Sequence, residues 1–272
     1  MTRADELTAP SGARLALLTA TAIVLVVTTF TIPESVATWA TGGTGASIDV
    51  LSQLVSDGLD SWVIATPLAS EAPADLAVAT NFWRAFHVTK AVLSIAAVLV
   101  ATLVMGRLSA RFRLVAEARL RVFLGFGMLF GASVTAVLLL IAVANVQGSV
   151  APQSSALTFL PAAHPTPAMT SLSAQLASGV LTPSATALLE DFRMYHWAVV
   201  VLGGALVVGL VGVAVRAWQS RVTSPRLSKR DLVVMEVFLA AGVVGMGLVL
   251  VANLPTALEP TAPFEAFLAG GG

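Results

Sequence analysis

The stretch FRMYH, Phe192 to His196, stands immediately before an apolar run, and a near copy, WRAFH, Trp83 to His87, stands before another run earlier in the chain. The two pentapeptides belong to a longer register. Arg84 pairs with Arg193, His87 with His196, Arg107 with Arg216 and Arg121 with Arg230, each pair 109 residues apart. After a slip of one residue, Asn145 pairs with Asn253, Pro152 with Pro260, Phe159 with Phe267 and Leu160 with Leu268, each 108 apart. Between these anchors VANVQGSVAP (143–152) reads against VANLPTALEP (251–260), and SALTFL (155–160) against PFEAFL (263–268). Self-similarity at a fixed spacing predicts one structural unit used twice.

Composition says what kind of unit it is. With 57% hydrophobic residues, 11% charged residues and a mean hydropathy of +0.88, the chain has too little polar surface for a soluble fold of 272 residues. A membrane-spanning helix needs about 20 mainly apolar residues, because the hydrocarbon is about 30 Å thick and each helical residue rises about 1.5 Å. Five segments meet that requirement: Leu15 to Ile32, His87 to Met105, Val122 to Val146, Trp197 to Val215 and Leu232 to Asn253. The first has an apolar core longer than the roughly 7–15 residues of a signal peptide, so it reads as an anchor.

The expected fold is therefore an all-α integral membrane protein with five transmembrane helices. One anchor helix precedes two tandem, parallel two-helix repeats that form a pseudo-symmetric four-helix bundle with helical outer loops. The organisation reads as follows: 1–33, N-terminus and anchor; 34–81, an acidic outer loop with an amphipathic helix; 82–160, repeat 1. Then come 161–190, an outer connector; 191–268, repeat 2; and 269–272, a tail.

Orientation follows from the basic residues, which are retained on the cytoplasmic side of spans. Arg3 and Arg14 precede the first span; Arg107, Arg111, Arg113, Arg119 and Arg121 join the second to the third; Arg216, Arg221, Arg226, Lys229 and Arg230 join the fourth to the fifth. Segments 33–83 and 147–192 and the tail after Asn253 contain no Lys or Arg. This predicts a cytoplasmic N-terminus and an outer C-terminus. The Arg107 to Arg121 cluster has only Phe112 interleaved, so positive-inside topology explains it and nucleic acid is not an expected partner. The absence of cysteine excludes disulfides, thiolate metal sites and cysteine-held iron–sulfur clusters.

The outer loops carry helical periodicity: Ile48, Leu51, Val55, Leu59 and Trp62 in the first, Leu172, Leu176 and Val180 in the second. Because the first loop is acidic, its helix is expected to pack over the protein and not to lie on anionic lipid. Both repeats end in a Pro-led segment bearing a Phe and a Leu, expected as a small interfacial helix. LPAAHPTPAMTS (160–171) is a proline-broken connector with His164 exposed, and GGTG (42–45) reads as a flexible exposed loop. Small residues should line the helix contacts, with Gly127, Gly131, Gly204, Gly209, Gly212, Gly242 and Gly245 as candidates.

Candidate site residues come from the register. His87 and His196 begin their spans among aromatic residues, which suits an interfacial belt. Asn145 and Asn253 lie at similar depth on the return helices, so a His–Asn hydrogen bond tying each hairpin is expected. The alternative places Arg84, His87, Arg193 and His196 around one pocket, since residues i and i+3 share a helix face. Two imidazoles there could ligate haem b, or the arginines could hold a lipid phosphate, a quinone or a carboxylate. Glu236 lies about five residues inside the fifth span, opposite Gly127 in the register, and an intramembrane carboxylate is a functional candidate by default. An ion pair with Arg119, Arg121 or Arg216 also explains it.

No HExxH, GxSxG or P-loop occurs, and the three histidines are not spaced with carboxylates as metal ligands, so no catalytic residue, resident cofactor or metal is expected. No deeper carboxylates support a proton or cation relay, which counts against a transporter or channel. The Ala, Val, Leu and Arg richness with two Lys, and the VAN…P tails, resemble multi-spanning membrane proteins of high-GC actinobacteria. That resemblance implies a bacterial plasma membrane. The leading expectation is a non-catalytic accessory or assembly subunit of an envelope or respiratory complex, with the bilayer and other membrane subunits as partners. The competing expectation is a small-ligand protein using the Arg and His pairs.

Overall fold

A computed structural model of the protein describes residues 12–43, 45–160, 165–223 and 229–270, with the backbone alone at 217, 220–223, 229–236 and 238. These residues are helical almost throughout, and no strand occurs among them. Five helices in the described chain are long and apolar enough to cross a membrane: Gly12–Thr31, Ala74–Leu114, Ala118–Val150, Pro183–Arg216 and Leu239–Leu258. The protein is an all-α, multi-pass membrane protein.

Helix α1 (Gly12–Thr31) is followed by α2 (Pro33–Ala40), which starts on a proline preset for the first helical turn. Gly42 and Gly43, both at φ +67°, end α2 by donating to the Trp39 and Thr38 carbonyls at 3.1 and 3.0 Å. GGTG thus begins as a helix cap, and Thr44 lies outside the described residues. A 3-10 turn (Ile48–Val50) leads into α3 (Leu51–Asp60), which continues through a π-helical turn (Ser61–Ala65). Then come α4 (Ala74–Leu114), α5 (Ala118–Val150), α6 (Pro152–Ala156) with a 3-10 turn (Leu157–Phe159), α7 (Pro167–Ser178), α8 (Pro183–Thr223), α9 (Lys229–Leu258) and α10 (Thr261–Leu268).

The long helices overrun the apolar segments read from sequence. Helices α4 and α8 each have 41 residues, about 60 Å of rise against about 30 Å of hydrocarbon. Hydropathy falls off before His87 and Trp197, but no Pro or Gly stands between Ala74 and His87 or between Ser184 and His196, so the backbone has no reason to break. The breakers that count are Pro73 and Pro183, where the two helices begin. Their first residues are 109 apart, as are their last. Helix α9 likewise passes the expected end at Asn253 and runs through Pro255 to Leu258.

The chain forms two compact units. The first contains α1, α2 and the hairpin of α4 and α5 (residues up to Ser47 and Phe82–Ser149); the second contains Ile48–Asn81 and everything from Val150 onward. The segment Ile48–Asn81 therefore belongs with the second hairpin, not with the hairpin that follows it in the chain. In the first unit the spans turn large apolar side chains outward, with Leu99 63% and Phe130 73% exposed. Lipid removes any penalty for this.

The second unit has a water-soluble style of core at one end, where α6, α10 and the π-helical turn after α3 pack on α8, and α7 packs on α10, α3 and that turn. Leu51, Leu59, Trp62, Leu172 and Phe264 are wholly inaccessible there. Trp62 satisfies its ring N–H by donating to the Ala69 carbonyl at 2.8 Å. The loop helices thus pack as a cap, as the acidity of the first loop implies. Two stripe positions differ from expectation. Ile48 is part-exposed because it sits in the 3-10 turn, off the register of α3. Val180 is exposed because Gly179 (φ +70°) ends α7 ahead of it. The Pro-led segments turn apolar side chains into the cap, where Phe264, Leu268 and Leu157 are buried.

Helix contacts select a few glycines. A Cβ on Gly131 would lie 2.5 Å from the Met105 Sδ, and one on Gly242 would lie 3.2 Å from Leu210. Gly127, Gly204, Gly209, Gly212 and Gly245 instead face open space, and Gly203, against Met246 and Leu250, makes the contact that Gly204 was expected to make. Glycine frequency along a span does not reveal which face meets a neighbour.

Candidate functional site

Both histidines are tied to the asparagines of their own hairpins. His87 Nδ1 lies 2.8 Å from Asn145 Oδ1, and His196 Nδ1 lies 2.8 Å from Asn253 Oδ1. Each asparagine is itself held by donating its Nδ2 one turn back along the helix, to Ile141 O at 2.7 Å and to Val249 O at 2.8 Å. That bond fixes the amide so that Oδ1 faces the imidazole, and because an amide oxygen can only accept, it accepts from the ring Nδ1–H. The hydrogen bond expected from matched depth is present in each hairpin.

The surroundings differ. In the first hairpin Trp83 stacks on Phe86 (4.9 Å, 14°) and meets His87 edge-on at 4.4 Å. A Cβ on Gly148 would come within 2.5–2.7 Å of three His87 ring atoms, so this glycine lets α5 lie against the imidazole. Asn145 is buried. In the second hairpin Phe192 meets His196 at 4.7 Å and reaches Phe264 and Phe267 of α10 at 4.7 and 6.1 Å, and Tyr195 meets the imidazole edge-on at 5.6 Å. Thr256 takes the place that Gly148 holds in the first register.

The arginines part company as well. Arg193 donates its Nε to the Ala257 carbonyl at 3.2 Å and lies 3.7 Å from Glu190, a largely exposed pair. Arg84 is exposed. Arg84 and His87 stand in the first unit, Arg193 and His196 in the second. Glu236 falls on α9, and its side chain, like His164, lies outside the described residues. Among the described residues no three His, Asp or Glu side chains gather where a metal ion could be held.

Several organising residues carry no signal in the linear pattern. Asp60 accepts from the Ala168 N–H at 2.9 Å and Asp191 from the Ser154 N–H at 2.7 Å, so each carboxylate satisfies an orphan donor in the first turn of a helix remote in sequence. Gln175 Oε1 accepts from both the N–H and the hydroxyl of Thr182, at 2.9 Å each. Lys90 places its Nζ 5.3 Å from the Phe86 ring centre and 5.4 Å from that of Phe30. Only the i, i+4 spacing of Phe86 and Lys90 could have shown that contact in advance.

No protein-family model, curated protein or solved structure matches this chain.

Proposed function

We propose that the protein is a non-catalytic accessory or assembly subunit of a larger bacterial plasma-membrane complex, binding its protein partner through the cap of the second unit. One observation carries this reading: the loops between spans build a cap with its own hydrophobic core, cross-tied by Asp60, Asp191 and Gln175. A connector needs no such core, whereas a pre-ordered surface lowers the entropic cost of association. The histidines and asparagines satisfy one another, which further supports a scaffold. We also read the two hairpins as copies of one unit, supported by the 109-residue offset of α4 and α8 and the matching His–Asn pairs. The distribution of arginines supports a cytoplasmic N-terminus.

Native mass spectrometry of the protein gently extracted from its own membrane tests the reading. Additional protein chains are the expected result, with the cap protected from hydrogen exchange in the assembly. A lone chain or homo-oligomer that carries haem or quinone would overturn it in favour of a ligand role for His87 and His196.

A further inference from the structure

Lys90 has no role in the scaffold described above, and its placement is unusual. It lies on α4 inside a membrane-crossing segment and is half-buried. Among the described residues no carboxylate lies within ion-pair distance of it. An ammonium in or near hydrocarbon without a counter-charge is costly, and such groups mark sites where charge is met. The two ring faces of Phe30 and Phe86 offset part of that cost, but neither neutralises the charge.

The direction of the side chain shows where a counter-charge can come from. Helical side chains lean toward the N-terminus of their own helix. On α4 that is the Trp83 end, and the ammonium indeed lies by Phe86, one turn nearer that end. Trp83, Phe86 and His87 cluster there, as aromatic residues do at the boundary between hydrocarbon and headgroups. A lysine so placed can extend its ammonium along its apolar stem to the level of lipid phosphates. On α1, Phe30, Val27 and Ile23 form an exposed apolar strip at i, i−3 and i−7, with Phe30 59% and Val27 54% exposed. Because Phe30 contacts Lys90 and Gly12 lies by Arg111, this strip runs down into the membrane from the ammonium. A cation at the interface with an apolar strip leading inward is complementary to an anionic amphiphile.

We propose that Lys90, between Phe30 and Phe86, is the headgroup site of an anionic phospholipid, whose phosphodiester meets the ammonium and whose acyl chain lies along Val27 and Ile23. Arg84 supplies an internal control. It lies six residues away at about 100° per residue, so it points about 120° around the helix from Lys90 and serves no part of the site.

The experiment is a titration of the detergent-extracted full chain with phosphatidylglycerol, phosphatidylcholine and inorganic phosphate, read by native mass spectrometry. Lys90→Met should weaken phosphatidylglycerol retention about fivefold, the factor expected for one basic group at an anionic surface. Phosphatidylcholine retention should not change, Lys90→Arg should keep the lipid, and Arg84→Gln should leave it within about twofold. Equal retention by Lys90→Met, or an equal loss in Arg84→Gln, would overturn the proposal. Lys90-dependent adducts of inorganic phosphate without lipid selectivity would overturn the assignment to a phospholipid. Should the variants fail to fold, a headgroup-photoactivatable phosphatidylglycerol can be applied to the unaltered chain. Labelling at Phe30, Phe86 or Lys90 supports the site, and labelling confined to other residues overturns it.

Discussion

The hairpins α4–α5 and α8–α9 carry the same His–Asn bond at the same 2.8 Å, yet they secure it differently. The first draws its helices together at Gly148 and buries Asn145; the second leaves Asn253 part-exposed, with Thr256 at the glycine's place, and secures its helix end from outside, through Phe264 and the arginine-to-carbonyl bond of Arg193. A shared polar contact therefore does not imply a shared source of stability. At the His–Asn end, the first hairpin is supported by close backbone packing and the second by a soluble-style cap.

That contrast can be broken most severely at Phe264. Phe264→Ala empties a fully buried position and should cost about 3–5 kcal/mol, seen as a lowered thermal midpoint in detergent with faster exchange in the second unit only. Loss of protection around His87 as well would show that the hairpins are not separately supported. Next is Gly148→Ala, which drives a methyl into the His87 ring and should cost about 1–3 kcal/mol. Thr256→Ala, at the matching place, should stay within about 0.5 kcal/mol. A neutral Gly148→Ala would mean that the close approach of α5 is not what holds the first hairpin.

Asn145→Ala and Asn253→Ala come third. Polar contacts between spans average about 0.6 kcal/mol and reach about 1.7. The buried Asn145 should lie toward the upper value and Asn253 toward the lower, by comparison of unfolding midpoints; the reverse order would refute the distinction drawn here. The smallest effect belongs to Glu190→Gln. Its pair with Arg193 is 3.7 Å long with side chains 41% and 59% exposed, so screening leaves it within about 0.3 kcal/mol. A salt titration of the midpoint should find no difference from the unaltered chain.

The sequence disclosed what is periodic or matched at a fixed spacing. Apolar runs revealed the spans, and the 109-residue register with depth matching pointed to both His–Asn bonds. It did not disclose where α4 and α8 begin, because hydropathy marks the membrane boundary while only Pro73 and Pro183 interrupt the backbone. Ile48 and Val180 fitted a stripe by spacing alone, but Ile48 sits in a 3-10 turn and a left-handed glycine ends the helix ahead of Val180. The ties from Asp60 to α7 and from Asp191 to α6 join segments 108 and 37 residues apart, a distance over which one sequence carries no pairing signal.

The backward bond from each asparagine amide to its own helix has a spectroscopic consequence. Because Oδ1 can only accept, a neutral His87 or His196 must carry its proton on Nδ1, the tautomer that imidazole in water disfavours. Nitrogen-15 spectra of selectively labelled protein should therefore show two rings in the minority tautomer, and Asn145→Leu or Asn253→Leu should return each to the common form one at a time.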